Sequence, residues 1–339
     1  MECSEKPVFY NYTGQELAQI RIMPPDEAVR KLVKKHWDTL AKPLDGMGSF
    51  ESITAQIGAI LGTEVIDIHK KGVLIFCADN GIVEEGVTQS GQEVTLAVAK
   101  SMARKGSSVC RMAQSIGAET IPVDIGINSE ESIPGVWNRK VCPGTRNFLK
   151  EPAMTEEETV RAIATGIGLV RECKEKDYGI LATGEMGIGN TTTSACVLTA
   201  LCGRSGAEVV GRGGGLNDEG LAKKIRIVDE ATRGLDPADV LGILAKVGGF
   251  DICAMVGAFL GAAYYKLPAV IDGYISAVAA LAAVRLAPKA AGYLFGSHLS
   301  KEQGYLIAMD ALGIRPFFDL GMRLGEGSGC PISLKIIET

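Results

Sequence analysis

The stretch Thr183–Ala195, TGEMGIGNTTTSA, has the residue types and spacing that suit a bound phosphate. The apolar run before it predicts a buried strand, and the hydroxyl-rich residues from Asn190 onward predict the start of a helix. Glycines let a ligand approach the backbone, and the N–H groups of a first helical turn attract anions. Glu185 would repel a phosphate unless it faces ribose hydroxyls or a cationic ring. The alternative is an ordinary turn and helix cap, because neither standard phosphate-binding fingerprint matches.

Other polar side chains that could do chemistry follow apolar runs or glycines. Asp79, Asp272 and Ser297 each come after a predicted strand. Function in a parallel α/β sheet is expected at the carboxyl ends of the strands, where these residues and Glu185 lie. Glu326, in GEGSG, is flanked by small residues, and the sequence leaves both a catalytic role and a solvated turn open for it.

Alternating strand, loop and helix from residue 72 onward predicts an α/β fold, with a parallel Rossmann-like sheet of about six strands flanked by helices. A capping box at Thr155 and Glu158 is typical of a helix start. The predicted helices cover residues 26–40, 52–61, 93–116, 155–176, 190–201 and 217–231, with another starting at Asp236-Pro237. Two further Ala-rich helices follow residues 248 and 273.

Composition fits a large α/β protein and disfavours several functional classes. The chain has 339 residues, is 46% hydrophobic and 6% aromatic, and holds 42 glycines, which suits helices packed on a parallel sheet. Its net charge of −5 is spread along the chain, which argues against nucleic-acid binding. The apolar stretches are too short for a membrane span, and no signal peptide is evident. Nine cysteines without a CxxC pair and three scattered histidines predict a cytoplasmic protein without a metal site.

Several longer motifs, in the same order, resemble the nicotinate-nucleotide–dimethylbenzimidazole phosphoribosyltransferase family, which makes the lower-ligand nucleotide of cobalamin. They are CADNGIVEEGVTQSGQEVT, GEMGIGNTTTSA, GRGGG, GGFDICAMVGAFLGAA, VIDGYISAVAAL, SHLSKEQGY and MRLGEGSG. The resemblance implies transfer of phosphoribose from nicotinate mononucleotide to a nitrogen of 5,6-dimethylbenzimidazole. The products would be alpha-ribazole 5′-phosphate and nicotinate, with inversion at the anomeric carbon and without a metal or other cofactor.

The resemblance also implies two domains and a homodimer. Residues 1–70 and 315–339 would form a small helical domain, and residues 71–314 would form the large catalytic domain. The small domain of the neighbouring subunit would help to close the site. The chain is expected to stop before the family's usual C-terminal helical stretch, and Tyr305 stands where the family usually has histidine.

Roles for individual residues follow from the same resemblance. Glu326 would be the base that takes the proton of the benzimidazole N–H, and Glu185 would face the ribose or the developing positive charge. The residues expected at the phosphate and ribose are Gly187, Ile188, Gly189, Asn190, Thr191, Thr192, Lys223 and Asp272. Those expected at the aromatic base are Thr88 and Gln92, and those expected at nicotinate are Ser297, His298 and Ser300. Lys223 could instead be solvated, Asp272 could cap a helix, and His298 could be a core histidine.

Three other functions remain open at this point. Some relatives form heterodimers that place phosphoribose on phenol or p-cresol, and residues 87–92 lack the aromatic and proline often found there. A catalytically silent subunit or nucleotide sensor would keep the fold but not the chemistry, and the presence of both glutamates argues against it. A nicotinamide-dependent dehydrogenase is disfavoured because the dinucleotide fingerprint is missing.

Overall fold

A computed structural model describes residues 12–213 and 215–339. Within these ranges, seven strands form one sheet in which every pairing is parallel, which confirms the predicted α/β fold. The strands are β1 Lys71–Ala78, β2 Glu119–Gly126, β3 Trp137–Asn138, β4 Ile180–Met186, β5 Ala269–Ile271, β6 Leu294–His298 and β7 Pro316–Phe318. Their spatial order is β3-β2-β1-β4-β5-β6-β7. The order therefore reverses between β1 and β4, which is where ligands bind in open α/β sheets.

Helices cover both faces of the sheet, so β1 and β4 are buried along their whole length. The α-helices of the described residues are α1 Gly14–Ala18, α2 Glu27–Asp38, α3 Ser49–Leu61, α4 Glu93–Ala103, α5 Ser108–Ser115, α6 Glu156–Glu175, α7 Asn190–Cys202, α8 Gly206–Val209, α9 Asp218–Ala231, α10 Val240–Val247, α11 Phe250–Tyr264, α12 Tyr274–Leu286, α13 Tyr305–Leu312 and α14 Cys330–Glu338. Short 3-10 segments cover Gly81–Glu85 and Pro288–Tyr293. No helix in this part of the chain has the length and apolar character needed to cross a bilayer.

Two glycines allow α6 and α11 to pack in direct backbone contact. A Cβ atom on Gly166 would lie 2.0 Å from the carbonyl oxygen of Ala254, and one on Gly257 would lie 1.9 Å from that of Ile163. Any larger residue would push the helices apart, because protein interiors have no spare volume. This close packing fixes α11 against the sheet, and the first turn of α11 carries Asp251 to the carboxyl ends of the strands.

The predicted helix over residues 93–116 is wrong, since the structure has two helices there. Lys105 adopts a left-handed φ of 57°, and the N–H of Gly106 bonds back to Ser101 O at 2.8 Å, which ends α4. The predicted start at Asp236-Pro237 is also wrong. Asp236 accepts a bond from Ala238 N in a turn, and α10 is capped instead by Asp239.

The proposed division into domains stays a prediction. Residues 12–70 contain α1, α2 and α3 and no strand. Residues 316–318, which that division places in the small helical domain, form β7 and pair with β6 at the edge of the sheet. The C-terminal helix α14 packs against β5 and β6 as well as against α3 and α5, so the last 25 residues contact the sheet directly.

Candidate active site

A cavity of about 390 Å³ opens at the carboxyl ends of β4, β5 and β6, beside the point where the strand order reverses. This volume lies within the range of small-molecule sites. Glu185 and Glu326 both line the cavity, although 140 residues separate them in the chain. The two glutamates singled out from the sequence therefore meet at one site.

Glu185 is the most strongly perturbed carboxyl group of the cavity. Its side chain is 8% exposed, and its Oε2 accepts a hydrogen bond of 2.5 Å from Asn190 Nδ2. The backbone N–H of Glu326 also donates to it. Burial raises the pKa of Glu185 to about 8, the charges of Asp251 and Asp272 add to the rise, and the two hydrogen bonds oppose it. Glu185 is therefore largely neutral at pH 7 when no cation lies beside it.

Glu326 lies in a loop whose backbone is left-handed at three successive residues. The φ angles are 83° at Gly325, 61° at Glu326 and 78° at Gly327. A left-handed conformation costs a non-glycine residue about 1 kcal/mol, so the flanking glycines limit this cost to one position. The half-buried Glu326 side chain faces the cavity, and burial raises its pKa. These are the surroundings expected for a general base that must work near neutral pH.

Asp251 is a functional candidate that the sequence did not reveal. It is fully buried in the first turn of α11, and its Oδ2 accepts a bond of 2.8 Å from Asn190 Nδ2. The two N–H bonds of the Asn190 amide thus go to two carboxylates, Glu185 and Asp251. Burial raises the pKa of Asp251 to about 6. Its position after Gly248-Gly249-Phe250 was the only sequence signal available.

Lys224 lines the cavity, and the predicted Lys223 does not. Lys224 is 1% exposed, and its Nζ donates to Thr191 Oγ1 at 2.7 Å. This contact lies at the N-terminus of α7, where Gly189 provides no side-chain cap. Burial lowers the pKa of Lys224 to about 8, and the nearby Glu302 partly offsets that. A cation, a hydroxyl and a helix N-terminus thus converge on one point, which suits a phosphate.

The other predicted residues divide into those that line the cavity and those that do not. The ones that line it are Thr88, Gly187, Ile188, Gly189, Asn190, Thr191, Asp272, His298 and Ser300. Gln92 lies outside and bonds to Asn80 O and Asn128 Nδ2. Thr192 lies outside too, with its side chain buried in α7.

Ser297 does not line the cavity, and its hydroxyl is hydrogen-bonded to the ring of His298, which does. Ser297 Oγ donates to Asp272 O at 2.8 Å, so it accepts from Nδ1–H of His298 at 2.9 Å. This arrangement leaves Nε2 of His298 as the acceptor nitrogen. Burial lowers the pKa of His298, which favours the neutral ring, and the ring stacks on Phe318 with centroids 6.1 Å apart.

Replacing Glu185 with glutamine is expected to flatten the pH dependence of stability. The pKa of Glu185 is raised to about 8 in the folded chain, so between about pH 4.5 and 8 the folded state holds a proton that the unfolded state has lost. The contribution of this group to stability therefore falls as pH rises, by up to about 1.4 kcal/mol per pH unit. Urea unfolding at several pH values and one protein concentration measures the slope. An E185Q slope equal to that of the wild type, or of the exposed control E64Q, would contradict the expectation.

Comparison with known proteins agrees with this fold and site. A family model described as phosphoribosyltransferase matches residues 22–339, and the chain is thus a phosphoribosyltransferase, an enzyme of the pentosyltransferase class. The nicotinate-nucleotide–dimethylbenzimidazole phosphoribosyltransferase of Clostridium perfringens is 49% identical over 307 residues, which are 90% of this chain and 85% of that protein. The protein of the same name from Ruminiclostridium cellulolyticum is 45% identical over 90% of this chain and 87% of its own.

A solved structure leads to the same family. The crystal structure of the corresponding phosphoribosyltransferase from Thermus thermophilus matches with a TM-score of 0.87 at 35% identity, and covers 92% of this chain and 94% of that one. The chain belongs to the nicotinate-nucleotide–dimethylbenzimidazole phosphoribosyltransferase family.

Proposed function

We propose that this enzyme transfers phosphoribose from nicotinate mononucleotide to 5,6-dimethylbenzimidazole, giving alpha-ribazole 5′-phosphate and nicotinate for the nucleotide loop of cobalamin. The observation that carries the proposal is the convergence of Glu185 and Glu326 on one cavity from distant parts of the chain. In the reaction, the bond between C1′ of ribose and the pyridinium nitrogen breaks, and a bond between C1′ and a benzimidazole nitrogen forms. The N–H proton of the other ring nitrogen must leave.

Glu326 is the group placed to take this proton. It is half-buried and faces the cavity, and burial raises its pKa. A carboxylate with a raised pKa accepts a proton more readily near pH 7 than an ordinary glutamate does. Its neighbours in the chain, Gly325, Gly327 and Ser328, are small, which leaves space for a flat heterocycle.

Glu185 would lie beside the ribose and the departing pyridinium. Burial raises its pKa to about 8, which favours the neutral form, but the positive charge of a bound pyridinium favours the ionised form. The charged carboxylate would then stabilise the positive charge that develops at C1′ in the transition state. Nicotinate, once released, carries no ring charge, so this attraction ends with the reaction.

The phosphate would bind at the N-terminus of α7. Lys224 Nζ and Thr191 Oγ1 are 2.7 Å apart there, and the backbone of Gly187, Ile188 and Gly189 lines the same wall. Holding the phosphate at this end places the ribose near Glu185, which is five residues before Asn190. Thr88 also lines the cavity and would contact the aromatic base.

The assembly and the location of the enzyme are also part of the proposal. A homodimer whose second subunit helps to close the site would cover the open side of the cavity. The eight cysteines in the described residues are free thiols, which supports a reducing compartment such as the cytoplasm.

The test is direct incubation with nicotinate mononucleotide and either 5,6-dimethylbenzimidazole or phenol, followed by mass spectrometry of the products. We expect alpha-ribazole 5′-phosphate and one equivalent of nicotinate with the benzimidazole. Turnover of phenol alone would assign the enzyme to phenolic bases instead. An absence of turnover with both bases, by protein that binds nicotinate mononucleotide, would support a silent subunit and overturn the proposal.

A further inference from the structure

The buried carboxylate of Asp272 is bonded to the loop that carries Glu326. Oδ2 of Asp272 accepts from Gly327 N at 3.1 Å, and Oδ1 accepts from Gly329 N at 2.8 Å. We propose that Asp272 is a positioning residue, which holds the Glu326 loop in the conformation that places Glu326 in the cavity. The inference rests on the proposed function, because the position of Glu326 affects catalysis only if Glu326 acts on a substrate.

Backbone bonds within the turn leave several N–H groups of the loop to be paired with side chains of the sheet. Three successive residues with positive φ, Gly325, Glu326 and Gly327, form the turn of the loop. Gly327 and Gly329 are buried, so their N–H groups need acceptors inside the protein. Asp272 supplies both acceptors, and Glu185 supplies the acceptor for the N–H of Glu326 itself. Two carboxylates at the ends of neighbouring strands therefore accept hydrogen bonds from the N–H groups of this loop.

The backbone N–H and the carbonyl oxygen of Asp272 are both hydrogen-bonded to serine side chains. Its N–H donates to Ser276 Oγ at 3.1 Å, and its carbonyl oxygen accepts from Ser297 Oγ at 2.8 Å. Ser276 Oγ lies 2.7 Å from Thr183 Oγ1 on β4. The carboxylate is 2% exposed and follows directly after β5. Hydrogen bonds through Asp272 thus connect the loop to three strands of the sheet: β4, β5 and β6.

Close backbone packing leaves the loop no second position while these bonds are made. A Cβ on Gly329 would lie 2.0 Å from Nδ1 of His298, and one on Gly184 would lie 2.6 Å from N of Gly327. The loop therefore lies flat against β4 and β6. Loss of the Asp272 acceptors would leave two buried donors unpaired, and moving the loop outward is the only way to expose them to water.

The bonds also limit what else Asp272 can do. Both of its oxygens already accept from the loop, and Cys330 Sγ lies 3.7 Å from Oδ1. With the N–H of Gly273, four groups donate to this carboxylate, which is about the number of its lone-pair sites. We therefore assign Asp272 to the loop and not to the sugar, although it forms part of the cavity wall.

The test is a double-mutant cycle between Asp272→Asn and Glu326→Gln. Asparagine keeps the shape but has one acceptor and places an NH₂ group against a backbone N–H. We expect D272N to lower kcat about 10²-fold or more with both KM values within about 3-fold, because the substrates do not contact Asp272. We expect D272N to have almost no further effect on kcat in the E326Q background, because Asp272 acts through Glu326. The wild-type enzyme is assayed first. If it does not turn over the substrates, the proposed function fails, and this result is distinct from a failure of the inference about Asp272.

The other outcomes overturn the inference. A rise of about 10-fold or more in the KM for nicotinate mononucleotide at unchanged kcat would show contact with the sugar. Additive losses in the double variant would show a role independent of Glu326, and an unchanged kcat in D272N would show no role. The matched control is Asp124→Asn, another buried carboxylate at a strand end that bonds a backbone N–H but lies away from the cavity, and its kcat should stay within about 3-fold.

A second variant covers the case in which D272N fails to fold. Ser276→Ala removes the acceptor of the Asp272 N–H and leaves the carboxylate in place. It should lower kcat less than D272N does, and this smaller loss should also disappear in the E326Q background. A loss that persists in that background would count against the inference.

Discussion

Replacement of Glu326 by glutamine is expected to lower kcat by about 10²-fold to 10⁴-fold, the usual contribution of a general base. Glutamine has nearly the same size and the same difficulty with a left-handed backbone, so the loop should keep its shape. Only the ability to accept a proton is lost. Steady-state release of nicotinate in the presence of 5,6-dimethylbenzimidazole measures the effect.

The pH profile gives this prediction a second readout. Because burial raises the pKa of Glu326, wild-type kcat should rise with pH as this carboxyl loses its proton, and then level off. E326Q should lack that rising limb. The control is Glu130→Gln, an exposed glutamate outside the cavity, which should behave as wild type. A rising limb that persists unchanged in E326Q would assign the proton transfer to another group.

Replacement of Lys224 by methionine is expected to raise the KM for nicotinate mononucleotide by about 10-fold to 100-fold. A hydrogen bond from a charged donor contributes about 1.5–3 kcal/mol to binding, and methionine fills the space of the lysine stem without a charge. The KM for 5,6-dimethylbenzimidazole should change little, because the proposed phosphate end of the cavity does not meet the base. Initial rates with each substrate varied in turn separate the two constants.

The neighbouring lysine offers a matched control for this variant. Lys223 precedes Lys224 on α9 but does not line the cavity, so Lys223→Met should leave both KM values within about 2-fold. The wild type should also bind nicotinate mononucleotide less tightly above about pH 8, because Lys224, whose pKa is lowered to about 8, loses its charge there. A larger effect of K223M than of K224M on this KM would show that the phosphate does not bind at the N-terminus of α7.

Much of the fold could be predicted because local patterns and tertiary burial agree. The continuous apolar run of β1 is what a strand buried on both faces requires. The capping box at Thr155 and Glu158 is formed as predicted, and α6 begins directly after Thr155. In contrast, the break between α4 and α5 depends on a left-handed lysine at position 105, and no sequence pattern signals a left-handed lysine.

The candidate site shows the same division between local and tertiary information. Glycines around Glu326 signal a special backbone, and the structure shows a left-handed one. The choice between Lys223 and Lys224 could not be made from the sequence, because successive helical residues point about 100° apart and only the docking of α9 decides which one faces the cavity.

The sequence by itself determined the central strands β1 and β4, the starts of helices such as α6 and α7, the motifs that imply the family, and the two glutamates as the leading chemical groups. These properties depend on residue type and on neighbours a few positions away. Only the tertiary structure decided that Asn190 bonds both Glu185 and Asp251, and that Asp272 holds a loop 55 and 57 residues further along the chain. Contacts of this kind depend on how the sheet brings strand ends together, and the raised pKa values follow from the burial that the same packing creates.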